Sequence, residues 1–323
     1  MQNKFYIVFT LLFFHQFLSA DNILTDYRLN GIANLEQHMD KELSKTDYWN
    51  EFLQNKDTTF GYIESYSNIL TCNKNKSRLC MYKKNKNETY QLHKQYNAFT
   101  GKNKGEKHRE GDLKTPIGIY DITRKLSNVD SFYGPLAFVT SYPNTYDKYQ
   151  NREGHGIWIH GLPTDQQRDN FTKGCIAINN NSLEYLNENI DITQTLLIIN
   201  SEDVEKNISK NKLSLVLANL FAWRYSWIYN DIESYLQFYS EQFKRFDGKD
   251  YNSFTRYKKR IFRKKEDKKI LITNINVIPY PGTSDLYKIS FKESYKSDSF
   301  EFTGNKILIV ELKNKQIKIL TEK

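Results

Sequence analysis

The residues of this 323-residue chain best suited to chemistry are a histidine and a cysteine that follow one another closely. Cys175 lies in the segment Thr-Lys-Gly-Cys-Ile at 172–176, and His160, directly followed by Gly161, stands 15 positions before it. A thiol attacks carbonyl groups only as the thiolate, so it needs a nearby base or positive charge, and an imidazole can supply that. His160 ends a predicted strand and shares one of its faces with Trp158. The pair predicts a cysteine nucleophile with a histidine base.

A second motif lies upstream, at residues 111–120, with the sequence Gly-Asp-Leu-Lys-Thr-Pro-Ile-Gly-Ile-Tyr after a Thr-Gly pair at 100–101. Taken alone it is a strand-entry turn, because Pro116 fixes φ and Gly118 permits close approach. Together with His-Gly and the pattern Ser/Thr-x-Gly-Cys-Ile/Val, it resembles the L,D-transpeptidase (YkuD-type) catalytic domain, which acts on peptidoglycan stem peptides. We interpret the stretch as both a turn and a side of the cleft.

The resemblance implies a role for each residue of the motif. Cys175 would attack the carbonyl of the third residue of a stem tetrapeptide, release the terminal D-alanine and leave a thioester, and His160 would then activate the acceptor. In this family a main-chain carbonyl orients the imidazole, here that of Gly161, so no acidic partner is needed. The backbone N–H groups around Lys173, Gly174 and Cys175 would form the oxyanion hole. The substrate-binding residues that it implies are Thr172, Lys173, Ala177 and Tyr142.

Two residues depart from the commoner family motif Ser-His-Gly-Cys-Ile/Val-Arg. Lys173 stands where a histidine is usual, and Ala177 stands where an arginine is usual. The missing guanidinium would normally orient substrate or brace the loop. This departure favours water over an amine as the acceptor, and so favours a cysteine-dependent L,D-carboxypeptidase that trims tetrapeptides to tripeptides.

Two other functions stay open at this point. One is an L,D-transpeptidase that makes cross-links, and the other is a wall-binding scaffold protein without strong catalysis. The intact nucleophile, base and glycine turn argue against the scaffold. No cofactor or metal is predicted, because four other histidines have no spacing typical of zinc ligands: His38, His93, His108 and His155.

The start of the chain predicts export. Lys4 precedes an apolar run at 5–14, and Phe-Leu-Ser-Ala at 17–20 follows it, which is typical of a signal peptide at residues 1–20. The run is shorter than the ~20 residues that span a bilayer, so cleavage is favoured over a stable membrane span, with an uncleaved anchor as the alternative. The predicted location is the periplasm, which excludes nucleic acid as a partner. The net charge of +9 suits a solvated surface or attraction to an anionic wall polymer.

The three cysteines of an exported chain predict one pair and one remaining thiol. Cys72 and Cys80 flank a polar turn between two β-like runs, so a disulfide between them is expected, the alternative being two free thiols. Cys175 would then be the odd, reactive thiol.

The rest of the chain predicts an α+β protein with three parts after the signal peptide. Residues 21–60 form two amphipathic helices that pack on the catalytic domain or on a second copy, and we favour a homodimer. Residues 61–201 form the mixed, curved β-sheet of an L,D-transpeptidase-like domain. Residues 202–323 begin with a helix and end with four β runs, which resembles the nuclear-transport-factor-2-like cone. Its aromatic residues are predicted to be core (Trp223, Trp227, Tyr235 and Tyr239), and its basic stretch at 258–269 a solvated helix face. The whole is most similar to periplasmic L,D-carboxypeptidases that determine helical cell shape.

Overall fold

The computed structural model describes residues 7–164 and 169–323, with side chains from residue 22 onward. It contains a closed β-barrel, a separate five-stranded sheet and helices at the N-terminus and on the second sheet. The predicted α+β class is confirmed.

The elements follow one another in three groups, with helices first, then the barrel, then helices and a sheet. The helices are α1 (Ile7–Leu43), α2 (Thr46–Phe52), α3 (Thr145–Tyr149), α4 (Asn180–Asn189), α5 (Lys210–Ile228), α6 (Ile232–Gln237) and α7 (Tyr251–Phe262), with 3₁₀ turns at Ser131–Tyr133 and Ile192–Gln194. The strands are β1 (Tyr62–Ile63), β2 (Asn68–Asn73), β3 (Arg78–Lys84), β4 (Tyr90–Phe99), β5 (Gly118–Leu126), β6 (Ala137–Thr140), β7 (Trp158–His160), β8 (Ile176–Ile178), β9 (Thr195–Asn200), β10 (Lys268–Pro279), β11 (Leu286–Ser297), β12 (Glu301–Lys313) and β13 (Gln316–Glu322).

The predicted curved sheet closes into a barrel in the order β2-β3-β4-β8-β7-β6-β5-β9. Closure is made by parallel pairing of β2 with β9. Alternate residues point inward along each strand, so apolar side chains such as Leu70, Ile122, Ile159 and Ile176 fill the interior. The residues between them face outward. This alternation puts Trp158 and His160 of β7 on the outer wall of the barrel.

The second sheet has the order β1-β10-β11-β12-β13 and packs against α5, α6 and α7. The predicted aromatic core is confirmed: Trp223, Trp227, Tyr235 and Tyr239 are all buried. The prediction for the basic stretch at 258–269 was partly wrong, since Lys258 and Lys268 are also buried. Their ammonium groups lie over aromatic rings, Lys258 Nζ 4.3 Å from the Trp227 ring centroid, which offsets part of the lost hydration.

The barrel and the second sheet share an apolar cluster. Ile69, Ile119 and Ile198 on the outer wall of the barrel pack with Ile278 and Leu286 of the sheet. The sequence from Tyr62 to Leu70 has a β-like pattern that predicts a single strand, but the structure divides it: β1 pairs with β10 in the second sheet, and β2 begins the barrel. The segment between them carries the chain from one structure to the other.

The N-terminal helices pack on α5 of the C-terminal domain, not on the catalytic barrel. The Trp49 indole of α2 lies 5.2 Å from the Phe221 ring of α5, and Asp40 of α1 forms a 2.6 Å ion pair with Arg224. Helix α1 is kinked at Gly31, where φ is 77°. Residues 1–6, the start of the predicted signal peptide, lie outside the described residues. None of the helices among the described residues is both long and apolar enough to cross a membrane.

The predicted disulfide is not present, because Cys72 and Cys80 are free thiols. In the register of β2 and β3, Cys72 lies opposite Leu79, and Thr71 lies opposite Cys80. Side chains one position apart point to opposite faces of a sheet. Cys72 therefore enters the barrel core and Cys80 the cluster outside it, so the strand pairing that brings them near also separates their sulfur atoms.

Candidate active site

Cys175 lies on the outer wall of the barrel, one residue before β8. Its neighbour Ile176 points into the core, so the thiol points outward, where it is partly exposed. The Sγ atom accepts a hydrogen bond from the Trp158 N–H at 3.4 Å and can donate to the Gly156 carbonyl at 3.4 Å. The N–H stabilises the thiolate, since hydrogen bonds to a charged acceptor are the stronger ones.

His160 ends β7, the strand beside β8. The two strands are parallel, with His160 opposite Ala177 and Ile159 opposite Ile176. Cys175 and His160 are therefore diagonal neighbours on one face, with Cα atoms ~8 Å apart. The ring is buried, and Nδ1 lies 2.7 Å from the Gly161 carbonyl oxygen. A carbonyl only accepts, so Nδ1 carries the proton and Nε2 is left as the basic nitrogen.

Gly161 is held by contacts that admit no side chain. Its N–H donates to the Tyr133 carbonyl at 2.8 Å, and a Cβ at this position would lie 2.2 Å from Asn180 Oδ1. The Asn180 amide accepts from the Leu162 N–H at 2.7 Å and donates to the Leu162 carbonyl at 3.1 Å. These two hydrogen bonds from Asn180, which follows the neighbouring strand β8, hold in place the turn whose carbonyl orients His160. We call them the Asn180 clamp.

Sequence reasoning missed both residues of this support. The stretch at 180–182 predicts a helix cap, but the cap is Asn179, which leaves Asn180 to reach back to the turn. Tyr133 packs edge-on against the His160 ring, with centroids 5.0 Å apart, and also against Trp158 at 5.2 Å. A spacing of 27 residues between Tyr133 and His160 gives no local signal for this contact.

The loop before Cys175 is stabilised by Thr172. Its buried hydroxyl accepts from the Gly174 N–H at 3.0 Å and donates to the Cys175 carbonyl at 2.6 Å. Gly174 has a φ of 141°, and a Cβ there would lie 2.9 Å from the Lys114 carbonyl oxygen. Thr172, predicted to bind substrate, is instead buried and shapes the loop, and the Gly174 N–H, predicted as an oxyanion donor, is engaged with the Thr172 hydroxyl. Lys173 is exposed beside the thiol.

The stretch at 111–120 forms one side of the site, and Asp112 determines its conformation. The Asp112 carboxylate accepts from Lys107 Nζ at 2.7 Å and from the backbone N–H groups of residues 108, 109 and 114. Burial alone would raise the pKa of Asp112, but these donors outweigh it and lower the pKa to about 2. The fixed loop places the Lys114 carbonyl against Gly174.

The structure does not bring every predicted site residue to the thiol. Tyr142 is 5% exposed, packs in the barrel core near Tyr120, and donates its hydroxyl to the Glu153 carbonyl at 2.7 Å. Ala177 is buried beside His160, so its methyl group occupies the position next to the base. His155, treated as structural from its sequence position, is exposed and lies 3.8 Å from Glu110.

Comparisons with known proteins match both the barrel and the C-terminal part of the chain. The model of the L,D-transpeptidase catalytic domain matches residues 67–199, and that of the Cds6 C-terminal NTF2-like domain matches residues 215–323. The crystal structure of Pgp2, a helical cell shape determining protein from Campylobacter jejuni, is 38% identical, with a TM-score of 0.79 over 87% of this chain and 99% of Pgp2. The chain belongs to the L,D-transpeptidase catalytic domain family.

Two further proteins are similar to this L,D-transpeptidase-family chain. Bd1075 from Bdellovibrio bacteriovorus is 28% identical, with a TM-score of 0.66 over 83% of this chain and 96% of Bd1075. The L,D-transpeptidase-like protein YafK of Escherichia coli K12 is 34% identical over 99 residues, which span 30% of this chain and 37% of YafK. The resemblance inferred from the motifs is confirmed. The family is one of cysteine-dependent peptidoglycan-modifying enzymes, so the chain has a peptidoglycan-related role.

Proposed function

We propose that this protein is an L,D-carboxypeptidase that removes the terminal D-alanine from peptidoglycan stem tetrapeptides and leaves tripeptides. The observation that carries the proposal is the partly exposed Cys175 thiol on the strand next to a buried imidazole, whose Nδ1 is 2.7 Å from the Gly161 carbonyl. This arrangement leaves Nε2 of His160 as an unprotonated base on the face that carries the thiol. It is the pair that thioester chemistry needs.

The reaction runs in two halves. His160 Nε2 takes the Cys175 thiol proton, and the thiolate attacks the carbonyl of the third stem residue to form a tetrahedral oxyanion. The C–N bond then breaks, D-alanine leaves with the proton from the imidazolium, and a thioester remains. Water attacks the thioester while His160 takes its proton, and collapse releases the tripeptide and restores the thiol. We propose the Lys173 and Cys175 N–H groups as oxyanion donors, each contributing about 3 kcal/mol.

Ala177 supports hydrolysis over transfer. It faces outward from β8 opposite His160, where the commoner motif has an arginine. A methyl group offers no charged donor to hold a second stem peptide in place for attack. Water needs no such positioning, so the thioester is hydrolysed. Transfer is the second candidate, favoured by the similarity to YafK, whose name describes an L,D-transpeptidase.

The product identifies the reaction. Purified protein is incubated with tetrapeptide muropeptides, and the products are analysed by mass spectrometry. Tripeptide with free D-alanine supports the carboxypeptidase, whereas dimers or exchanged D-amino acids support the transpeptidase. Cys175→Ala should abolish either product while binding of substrate persists. A scaffold protein would give no product in the wild type and an unchanged wall profile in cells that carry Cys175→Ala.

We also propose export to the periplasm and a role in cell shape. The N-terminal apolar run supports export, and the relative Pgp2 is described as a helical cell shape determining protein. The mature protein should begin near Asp21, which intact-mass measurement of protein from the periplasmic fraction tests. Cells that lack the gene should lose their normal curvature, and wild-type protein but not Cys175→Ala should restore it.

The homodimer through the N-terminal helices stays a prediction. Side chains along α1 are exposed in the single chain, with Leu24 at 65%, Leu29 at 66% and Ile32 at 59%. An exposed apolar row of this kind can be covered by a second copy. Light scattering after gel filtration should give twice the monomer mass, and Leu24→Glu with Ile32→Glu should give the monomer mass. A monomeric wild type would refute the prediction.

A further inference from the structure

A cleft of about 700 Å³ lies between the catalytic barrel and the C-terminal sheet, away from Cys175. One side is the segment 141–149 with the middle of β5, and the other is the loop 244–248 with β11, β12 and the end of β13. The cleft is built before any ligand arrives. Lys288 of the sheet, almost fully buried, forms a 3.1 Å ion pair with Asp121 of the barrel, and the Tyr149 hydroxyl donates to the Gln242 carbonyl at 3.2 Å.

The cleft carries a positive charge that the protein does not neutralise. Five basic and two acidic side chains line it, and both acids are in ion pairs, Asp121 with Lys288 and Asp247 with Arg245 at 3.1 Å. Three lysines are then left without a salt bridge to any described acidic group: Lys148, Lys244 and Lys323. Lys148 and Lys244 are exposed on opposite sides of the opening. Low-dielectric walls concentrate such a field, which favours an anionic ligand.

An aromatic side chain stands beside these charges. Phe246 is 60% exposed at the tip of the loop, and the Arg245 guanidinium lies 5.4 Å from its ring centroid. A ring held this way offers an apolar face to sugar or peptide that lies across the opening. The chemistry therefore suits a chain that combines carboxylates with flat or apolar groups, not a small inorganic anion.

The cleft and the thiol both lie on the outside of the closed barrel, but on different sides of it. Asp121 points outward, because its neighbours Tyr120 and Ile122 enter the core, and Cys175 points outward for the same reason. Strands β5, β6, β7 and β8 are consecutive in the barrel, so three strand spacings separate the two positions. The path around the wall is therefore at least ~15 Å, so only a ligand longer than ~5 extended residues, such as a polymer, can contact both sites at once.

We propose that this interdomain cleft binds a carboxylate-bearing stretch of the same peptidoglycan polymer whose stem peptide is cleaved at Cys175. The proposal rests on the proposed function for its substrate class. The cleft takes a neighbouring stem through Lys148 and Lys244, with Phe246 against its apolar part. Polymeric wall is then a better substrate than an isolated tetrapeptide, since the second contact raises the effective concentration of stems at the thiol.

The test compares two charge-reversal variants. Lys148→Glu with Lys244→Glu alters the cleft, and Lys86→Glu with Lys313→Glu makes the same charge change at exposed positions outside it. Release of D-alanine is measured from a soluble tetrapeptide muropeptide and from intact sacculi, and sedimentation with sacculi at two salt concentrations measures binding of each variant in the Cys175→Ala background. Two lost ion pairs predict roughly tenfold weaker binding to sacculi for the cleft variant.

The expected result is that the cleft variant loses about tenfold in kcat/KM on sacculi and keeps the wild-type kcat/KM on the tetrapeptide, with the control variant unchanged on both. Equal losses in cleft and control variants would overturn the proposal, because general charge would then explain wall attraction. So would wild-type activity of the cleft variant on sacculi. Failure of the wild type on the soluble tetrapeptide would instead refute the proposed function, so the two are separated.

Discussion

The turn that orients the base makes a strong prediction about Gly161 and Asn180. In Gly161→Ala the new Cβ would lie 2.2 Å from Asn180 Oδ1 and 3.1 Å from the Cα of Gly134, so the turn must move. Overpacking of this kind costs about 2 kcal/mol of the free energy of unfolding. Asn180→Ala removes two hydrogen bonds to residue 162, at ~1 kcal/mol each, and so costs about 2 kcal/mol as well.

The two substitutions should not be additive. Independent effects would sum to ~4 kcal/mol, but Asn180→Ala removes the atom that the new methyl group strikes, so the double variant should lose only ~2 to 3 kcal/mol. The losses in kcat should be non-additive in the same way. Gly161→Ala displaces the carbonyl that accepts from His160, and each ~1.4 kcal/mol lost in the transition state lowers kcat tenfold. A partial recovery of kcat is expected when Asn180→Ala is added.

Urea unfolding and D-alanine release from a soluble tetrapeptide measure both quantities for all four proteins of the cycle. Gly248→Ala serves as the matched control, because its φ of 90° is strained for alanine but no atom lies within 4 Å of the new Cβ. Its coupling to Asn180→Ala should be zero. Additive losses for Gly161→Ala and Asn180→Ala, within the ~0.5 kcal/mol expected for independent sites, would refute the clamp.

Three further predictions concern titration and thiols. The pKa of Asp112 in the folded protein is about 2, below its usual 3.8, so the stabilisation by its carboxylate is complete above pH 4 and lost as the pH falls to 2. Asp112→Asn should therefore lower the free energy of unfolding, measured in urea, by about 2 kcal/mol at pH 7 and by little at pH 2. Burial lowers the pKa of Lys258 to about 8, so its charge destabilises the fold below pH 8, and Lys258→Met should unfold at higher urea than the wild type at pH 7, with the difference vanishing by pH 10.5. Burial raises the pKa of Cys72 to about 12, and Cys80 is also buried, so a thiol reagent should titrate Cys175 alone in the native protein and three thiols in urea; a single thiol in urea would mean that the disulfide exists after all.

The sequence predicts the reactive residues of the site better than the residues that hold them in position. Cys175 and His160 lie in short local motifs whose order alone indicates a nucleophile and a base. Asn180 and Tyr133 act through tertiary contacts, and a helix-cap pattern at 180–182 competes for the same asparagine. Tyr142 is the opposite case, a residue that the sequence places in the site and the structure places in the core. A tyrosine in a loop has the same local sequence pattern whether it is exposed or buried.

The fold shows the same limit. Most strands are recognisable from their alternation, and the helix at Lys210–Ile228 from its apolar residues. Which strands pair with one another cannot be recognised from the sequence. The β-like run from Tyr62 to Leu70 predicts one strand, and only its pairing shows that Tyr62–Ile63 belongs to the second sheet. The buried Lys258 likewise looks like surface until the aromatic rings around it are known.

The division of the run from Tyr62 to Leu70 between two sheets has a consequence for how the chain folds. The barrel needs only residues 68–200, but its outer apolar residues Ile69, Ile119 and Ile198 are covered by β10 to β12, which emerge last. Until then β1 has no strand to join. A chain halted before residue 268 would present an uncovered apolar surface and an unpaired N-terminal segment to chaperones and proteases. The chain therefore becomes a protease-resistant, active enzyme only when the final sheet is complete.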